Sequence, residues 1–334
     1  MSNQAVGSNS RIIYGLEDSL GAGAATPNGL LLYYKGGESF GAETGENDSD
    51  TMRSNPNPTE SASGNTTVKG GFQFELAWQY ALLMALHFGS VTSGAAVGGV
   101  YTEVLKIAKI SKSAWFEKGF TDLAVPQFFG YRGHRIAKYG YEKKGTGFVG
   151  CSFDLPGIKD VALATSSYDT TPIDLGHHPF NAKGGSILID GADVGIITSA
   201  KFDSDRNTKP TDPVIGAGGY SSQLPVGKAT VKGSITTLFD SVALYSKARS
   251  RAIVAVKLTD INGTGDGTAG NESIEHYFPE THLGRVDPTI KGDDGVMIDF
   301  PFTAFNKSDV GGSAMIVTIK HSSTVLHDLI ALAV

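Results

Sequence analysis

Cysteine is almost missing from this chain: Cys151 is the only one in 334 residues, so no intramolecular disulfide can form. That usage fits a protein made in a reducing cytoplasm, and Cys151 lies in a strand-like run where it reads as a small buried apolar residue. Tryptophan is nearly as scarce, with only Trp78 and Trp115. No basic excess exists either: 28 Lys and Arg stand against 34 Asp and Glu, for a net charge of −6 and a pI near 5.7. This balance excludes a basic face for gripping nucleic acid, and a mildly acidic surface repels a phosphate backbone. Long apolar runs are lacking too. The longest, Ala81 to Phe88, is too short to span a bilayer, and the polar Met1 to Ser10 has no secretory-signal pattern, so no membrane partner is expected.

Motifs that carry chemistry are missing in the same way. The eight His are scattered, and His177-His178 beside Pro179 cannot form the i, i+4 face of a helical zinc site. No G-x-S-x-G elbow, Walker A loop or Cys cluster occurs. The Gly-rich run Gly263 to Gly270 resembles a phosphate cradle, but the segment after it, Ile274 to Phe278, reads as a strand and not as the helix a cradle needs. It is read as a hairpin tip. Asp260 to Gly265 echoes the start of a calcium loop, yet Asn271 stands where the bidentate Glu belongs and Glu272 comes one residue late. No catalytic residue, cofactor or metal site is expected, and the chain is read as a non-enzyme.

What the sequence does have is glycine, 43 residues without a collagen period, alongside much Ser and Thr. Together with 40% apolar and 19% charged residues, this points to a globular, mainly β protein with many turns and bulges. The most informative stretch is Thr66 to Phe88. Val68, Phe72 and Phe74 alternate with polar residues as in a half-buried strand. From Trp78 the apolar residues Ala81, Leu82, Ala85 and Leu86 take the spacing of an amphipathic helix with one buried face, and Gly89 is its stop.

The chain writes this stretch twice. Thr67-Val68-Lys69-Gly70 returns as Thr230-Val231-Lys232-Gly233, 163 residues later, followed again by a strand-like run and a more polar helix with Asp240 as a candidate cap. Gly29 to Tyr34 is matched upstream by Ser186 to Gly191, and Gly147 to Phe153 downstream by Gly295 to Phe302 at an offset of 148. Two related domains are therefore expected: residues 1–160 with an N-terminal arm, a linker over 161–184, and residues 185–334. Each half has a long polar loop. Gly36 to Asn65 carries Glu43, Glu46, Asp48, Asp50 and Arg53, and Asp203 to Gly227 opens with Asp203, Asp205 and Arg206. Loops of this length inside compact domains are usually functional, and these eight residues are the candidate assembly sites. Thr324 to Val334 is an apolar C-terminal segment expected to dock on a neighbour or on the core.

The order of motifs resembles a known family. An acidic loop ending at Arg53, then Thr-Val-Lys-Gly with its strand and helix, then Trp115 to Phe120, Tyr131-Arg132-Gly133 and the Gly147 to Phe153 strand look like tail tube (major tail) proteins of tailed bacteriophages with long non-contractile tails. Gly185 to Gly191 and Gly218-Gly219-Tyr220 continue the likeness, which covers roughly residues 25 to 310. The resemblance implies two tandem tail-tube-like β-sandwich or barrel domains, each flanked by an α-helix, with long inter-ring loops. It implies rings stacked into a hollow virion tail tube, made in the bacterial host cytoplasm, through which viral DNA passes without specific binding. The partners so implied are further copies of the chain, a tail initiator or distal tail protein, a tape measure protein and a tail terminator. With six tube domains per ring, three two-domain chains would close a pseudo-sixfold trimer. Alternatives are the inner tube of a contractile tail or secretion system, and a carbohydrate-binding β-sandwich adhesin using Trp115, Tyr131, Tyr139 and Tyr141 as a sugar platform.

Overall fold

A computed structural model describes residues 4–51, 54–55, 57–193, 197–216, 218–240, 242–289, 295–308 and 312–333. The chain is mainly β, arranged in several sheets with no closed barrel among the described residues. The first part supplies β1 (Ser10–Leu16), β2 (Leu30–Leu31), β3 (Gly41–Asn47), β4 (Ala62–Lys69) and β5 (Gly71–Glu75). A 3-10 turn at Trp78–Tyr80 leads into α1 (Ala81–Phe88), then β6 (Gly89–Ser93) and β7 (Tyr101–Ile107). Next come β8 (Ala114–Phe120), β9 (Gln127–His134), β10 (Lys138–Lys144), β11 (Gly150–Asp154) and the short β12 (Lys159–Asp160). The second part holds β13 (Ser186–Ile189), β14 (Ala192–Asp193), β15 (Ile197–Asp205), β16 (Thr230–Leu238) and α2 (Ala243–Ser250). It ends with β17 (Ile253–Ile261), β18 (Ser273–Leu283), β19 (Met297–Ala304), β20 (Ile316–His321) and α3 (Thr324–Leu332).

A five-stranded sheet runs β12-β9-β8-β1-β2, and β3 with β4 forms a separate hairpin. The large sheet has thirteen strands, ordered β14-β13-β17-β18-β19-β16-β15-β10-β11-β5, with β20 bridging β18 to β7 and β6 beyond β7. It crosses from one half of the chain to the other twice, at β7 and β20 and at β10 and β15, the latter paired antiparallel from Lys138 opposite Asp205 to Lys144 opposite Ser199. The buried core is continuous across the same line: Tyr139 stacks on Phe153, Tyr141 on Phe202, and Phe202 meets Phe278 edge-on.

The Thr-Val-Lys-Gly segments sit in matching ladders. Val68 stands opposite Gly157, Phe72 opposite Phe153 and Phe74 opposite Cys151. In the second half Val231 stands opposite Ala304, Ile235 opposite Phe300 and Thr237 opposite Ile298. The offsets are 163 on one strand and 147 on the other, so the register corrects the sequence alignment of the downstream strand by one residue. The ladders end alike: the Leu76 N–H donates to the Val149 carbonyl at 2.7 Å, and the Phe239 N–H to the Val296 carbonyl at 2.9 Å. Both helices are eight residues long and stop at a left-handed residue, Gly89 and Arg251, 162 apart. The motif glycines also have a reason. A Cβ on Gly70 would fall inside the Phe40 ring, and one on Gly233 would meet the Phe302 ring and the Lys201 carbonyl.

Three local expectations are corrected. Helix α1 is not half-buried; all eight residues are inside, with α3, β6, β7 and β10 packed around it. The C-terminal segment thus docks within its own chain. Asp240 does not cap α2, whose N-cap is Val242 with no side-chain bond. The Gly36 to Asn65 stretch is not one open loop: it holds β3, which has no buried residue, and the first half of β4, which is exposed or half-buried until Val68, so no apolar alternation marks it.

Candidate assembly surface

The hairpin projects from a firm base. Phe40, at its root, packs on Phe72, Phe116 and Tyr131 at ring distances of 5.3, 5.0 and 4.8 Å. Beyond it no residue of β3 is buried. Glu43 pairs with Lys69 at 3.3 Å, the Thr44 and Thr66 hydroxyls lie 2.8 Å apart, and the Ser61 hydroxyl donates to Glu46 at 3.2 Å. Such exposed contacts set the hairpin's shape and add about 0–1 kcal/mol each. Asp48 and Asp50 are exposed beyond the strand end, and Arg53 lies outside the described residues.

The second candidate stretch behaves differently. Asp203 and Asp205 belong to β15, not to a loop: Asp203 pairs with Lys138 at 3.2 Å, and Asp205 accepts the Asn207 N–H at 2.7 Å. Arg206 is buried, donates to the Ala108 carbonyl, and burial lowers its pKa. The rest of the loop folds back, with Leu224 buried and its carbonyl held by Arg135. It braces the hairpin: the Thr66 N–H donates to the Gly219 carbonyl at 3.0 Å, and Tyr220 donates to Asp160. The two loops therefore meet at the root of the hairpin. Their charged residues do not all serve one surface.

The β10–β15 seam carries a buried polar network that sequence reasoning missed. Lys143 bonds Asp260 at 2.8 Å and the Gly184 carbonyl at 2.7 Å, while the Tyr141 hydroxyl donates to Asp260 at 2.9 Å. Burial raises the Asp260 carboxyl despite Lys143 and drives Tyr141 well up. Tyr139 bonds His276 at 2.8 Å, and burial pushes that imidazole down to about 3. The apparent calcium-loop aspartate is thus an internal tie between the halves. Only the alternation of Tyr139 and Tyr141 signalled this in the sequence. Trp115, Tyr131, Tyr139 and Tyr141 are all buried, so they offer no sugar platform. Among the described residues no group of three His, Cys, Asp or Glu is placed to hold a metal ion.

Comparison with protein families matches residues 7–304 to the phage tail tube protein model. The chain belongs to the phage tail tube protein family. A search of curated proteins found no match. As a tail tube family member the chain is a structural component of a phage tail, and the family implies self-association and contact with other tail components. No helix among the described residues is long and apolar enough to cross a membrane.

Proposed function

We propose that this chain is a double tail-tube subunit: two related β domains that assemble three to a ring, the rings stacking into the hollow conduit that delivers the phage genome. The observation that carries the reading is the repeated ladder, in which Val68–Gly157 and Val231–Ala304 begin runs of identical register, each followed by an eight-residue helix with a left-handed stop. A ring closes only if each head-to-tail contact imposes the same rotation, and a chain carrying two copies of the unit has half of those contacts built in. The acidic balance suits a channel that DNA must leave without sticking.

The β3–β4 hairpin is the element that reaches the adjacent ring, with Glu43, Glu46, Asp48 and Asp50 on it and Arg53 between β3 and β4 in the sequence, and Asp203, Asp205 and Arg206 belong to the strand and turn that support its brace. The tube then meets an initiator at the distal end, a tape measure protein inside during assembly, and a terminator. Deletion of Glu43 to Asn57 tests the hairpin. Since no β3 residue is buried, the fold should survive while tube growth stops. Tubes of normal length from the deletion variant would contradict the assignment.

A further inference from the structure

Helix α3 is held to the body by an apolar face and by a few polar ties. Leu326, Leu329 and Ile330 form its buried face, and the helix packs on α1, β6 and β7. Among the described residues, three hydrogen bonds join its start and first turns to the strands beneath. The N–H of Ser323, the N-cap, donates to His321 Nδ1 at 3.2 Å. The Thr324 and Tyr101 hydroxyls lie 3.0 Å apart, and His327 Nδ1 lies 2.6 Å from Glu103 Oε1.

The ties gather around one buried carboxylate. The Glu103 and His321 side chains are fully buried, and that of His327 is 19% exposed. Ser93 of β6 donates to the second Glu103 oxygen. His321 Nε2 faces Glu103 Oε1 at 3.7 Å and has no hydrogen-bond partner. Tyr101 stacks on His327 at 4.1 Å, and Trp78 lies parallel to His321 at 5.6 Å, so both imidazoles are held in place. The other charged groups of these elements lie apart. Lys106 lies beside Gly312 and Lys320 beside Gly267, Asp328 is exposed, and His87 of α1 bonds Ser204 and the Ile136 carbonyl.

This bonding fixes where the protons sit. His321 Nδ1 accepts the Ser323 N–H, so its own proton is on Nε2, facing Glu103. A second proton, on Nδ1, would set N–H against N–H at the α3 N-cap. Ionised Glu103 takes a donor on each oxygen, so protonating it displaces Ser93 or His327. A proton on His327 Nε2 works the other way, since it keeps the Nδ1–H bond and adds attraction to ionised Glu103. We propose that α3 is a proton-operated latch: proton uptake at His321 and Glu103 releases the helix and uncovers α1. The latch belongs to the single chain and does not rest on the ring reading. Burial pushes His321 down to about 4, below its ordinary value near 6.5. Docking is therefore complete above about pH 6.5 and is lost as pH falls toward 4, with opening easier by up to about tenfold per pH unit.

The test is hydrogen–deuterium exchange of the full chain at pH 7 and pH 5, read by mass spectrometry, with each rate divided by the intrinsic exchange rate at that pH. Strand β16 is the reference, because neither it nor its neighbours β15 and β19 carry a histidine. The expected result is that protection of α3 falls by up to about thirtyfold more than that of β16, one and a half pH units at tenfold each. His321→Asn keeps an acceptor near the Nδ1 position but cannot titrate, so it should hold α3 at pH 7 and flatten most of the fall. Glu103→Gln turns an amide donor toward Ser93 or His327 and should leave α3 poorly protected already at pH 7. Wild-type α3 protection that follows β16 from pH 7 to pH 5 would overturn the latch, and so would a His321→Asn protein with the wild-type fall. Where a variant does not fold, the wild-type comparison decides alone.

Discussion

Replacing Lys143 by Met should cost about 3–5 kcal/mol at neutral pH, the loss typical of stranding a buried charge. The Lys143 and Asp260 side chains are 9% and 0% exposed, so little water can replace the ammonium. What remains to Asp260 is the Tyr141 hydroxyl at 2.9 Å, and the Gly184 carbonyl loses its 2.7 Å donor. The cost should depend on pH with a definite sign. Burial already raises the Asp260 carboxyl, and removing Lys143 raises it further. The variant therefore escapes part of the penalty by protonating Asp260, and its deficit against the parent should shrink as pH falls from 7 to 5. Urea unfolding monitored by fluorescence of Trp78 and Trp115 at both pH values measures this. The double variant Lys143→Met/Asp260→Leu should recover most of the loss, because an apolar pair leaves no charge behind. A Lys143→Met protein within about 1 kcal/mol of the parent at pH 7 would refute the claim that this pair ties the halves together, given that such stranding typically costs more.

Other consequences are as direct. Gly185 has φ +90° and a Cβ there would lie 1.8 Å from the Thr259 carbonyl oxygen, so Gly185→Ala should abolish soluble expression; Gly191, at φ +78° with open space around it, should lose only about 1–2 kcal/mol as Ala in chemical denaturation. Phe40→Ala should cost about 3–5 kcal/mol and release the hairpin root, seen as faster proteolytic cutting between β3 and β4. Burial pushes His87 and His276 down to about 3, and His134 and His321 to about 4. Their neutral folded forms make stability complete above about pH 6.5 and lost as pH falls below it, by up to about 1.4 kcal/mol per pH unit for each His. The raised Asp154 and Asp260 act in the opposite sense, so the expected fall in melting temperature from pH 7 to pH 4.5 is the imidazole contribution less theirs. A flat profile would contradict the neutral buried imidazoles.

Local chemistry made much of the fold legible. The alternation of Val68, Phe72 and Phe74, the stop at Gly89, the hairpin tip at Asn262 to Asn271 and the last strand before the C-terminus all come from period and turn residues, and the structure has them. What stayed hidden depends on distant partners. Helix α1 is buried all round by strands β6, β7 and β10 together with α3, which comes more than two hundred residues later. Strand β3 has no apolar face for its period to show. Arg206 looked like a surface charge beside Asp205, yet its guanidinium turns inward to the Ala108 carbonyl. The sequence speaks against calcium at Asp260 but cannot name its true partner, Lys143, which lies in the other half of the chain.

If one chain contributes two tube units to a ring, the symmetry of the ring reports it. End-on class averages of assembled tubes by electron microscopy test it most directly. Three-fold rings with six similar lobes are the predicted result. Rings built from six chains would keep the tube and break the double subunit.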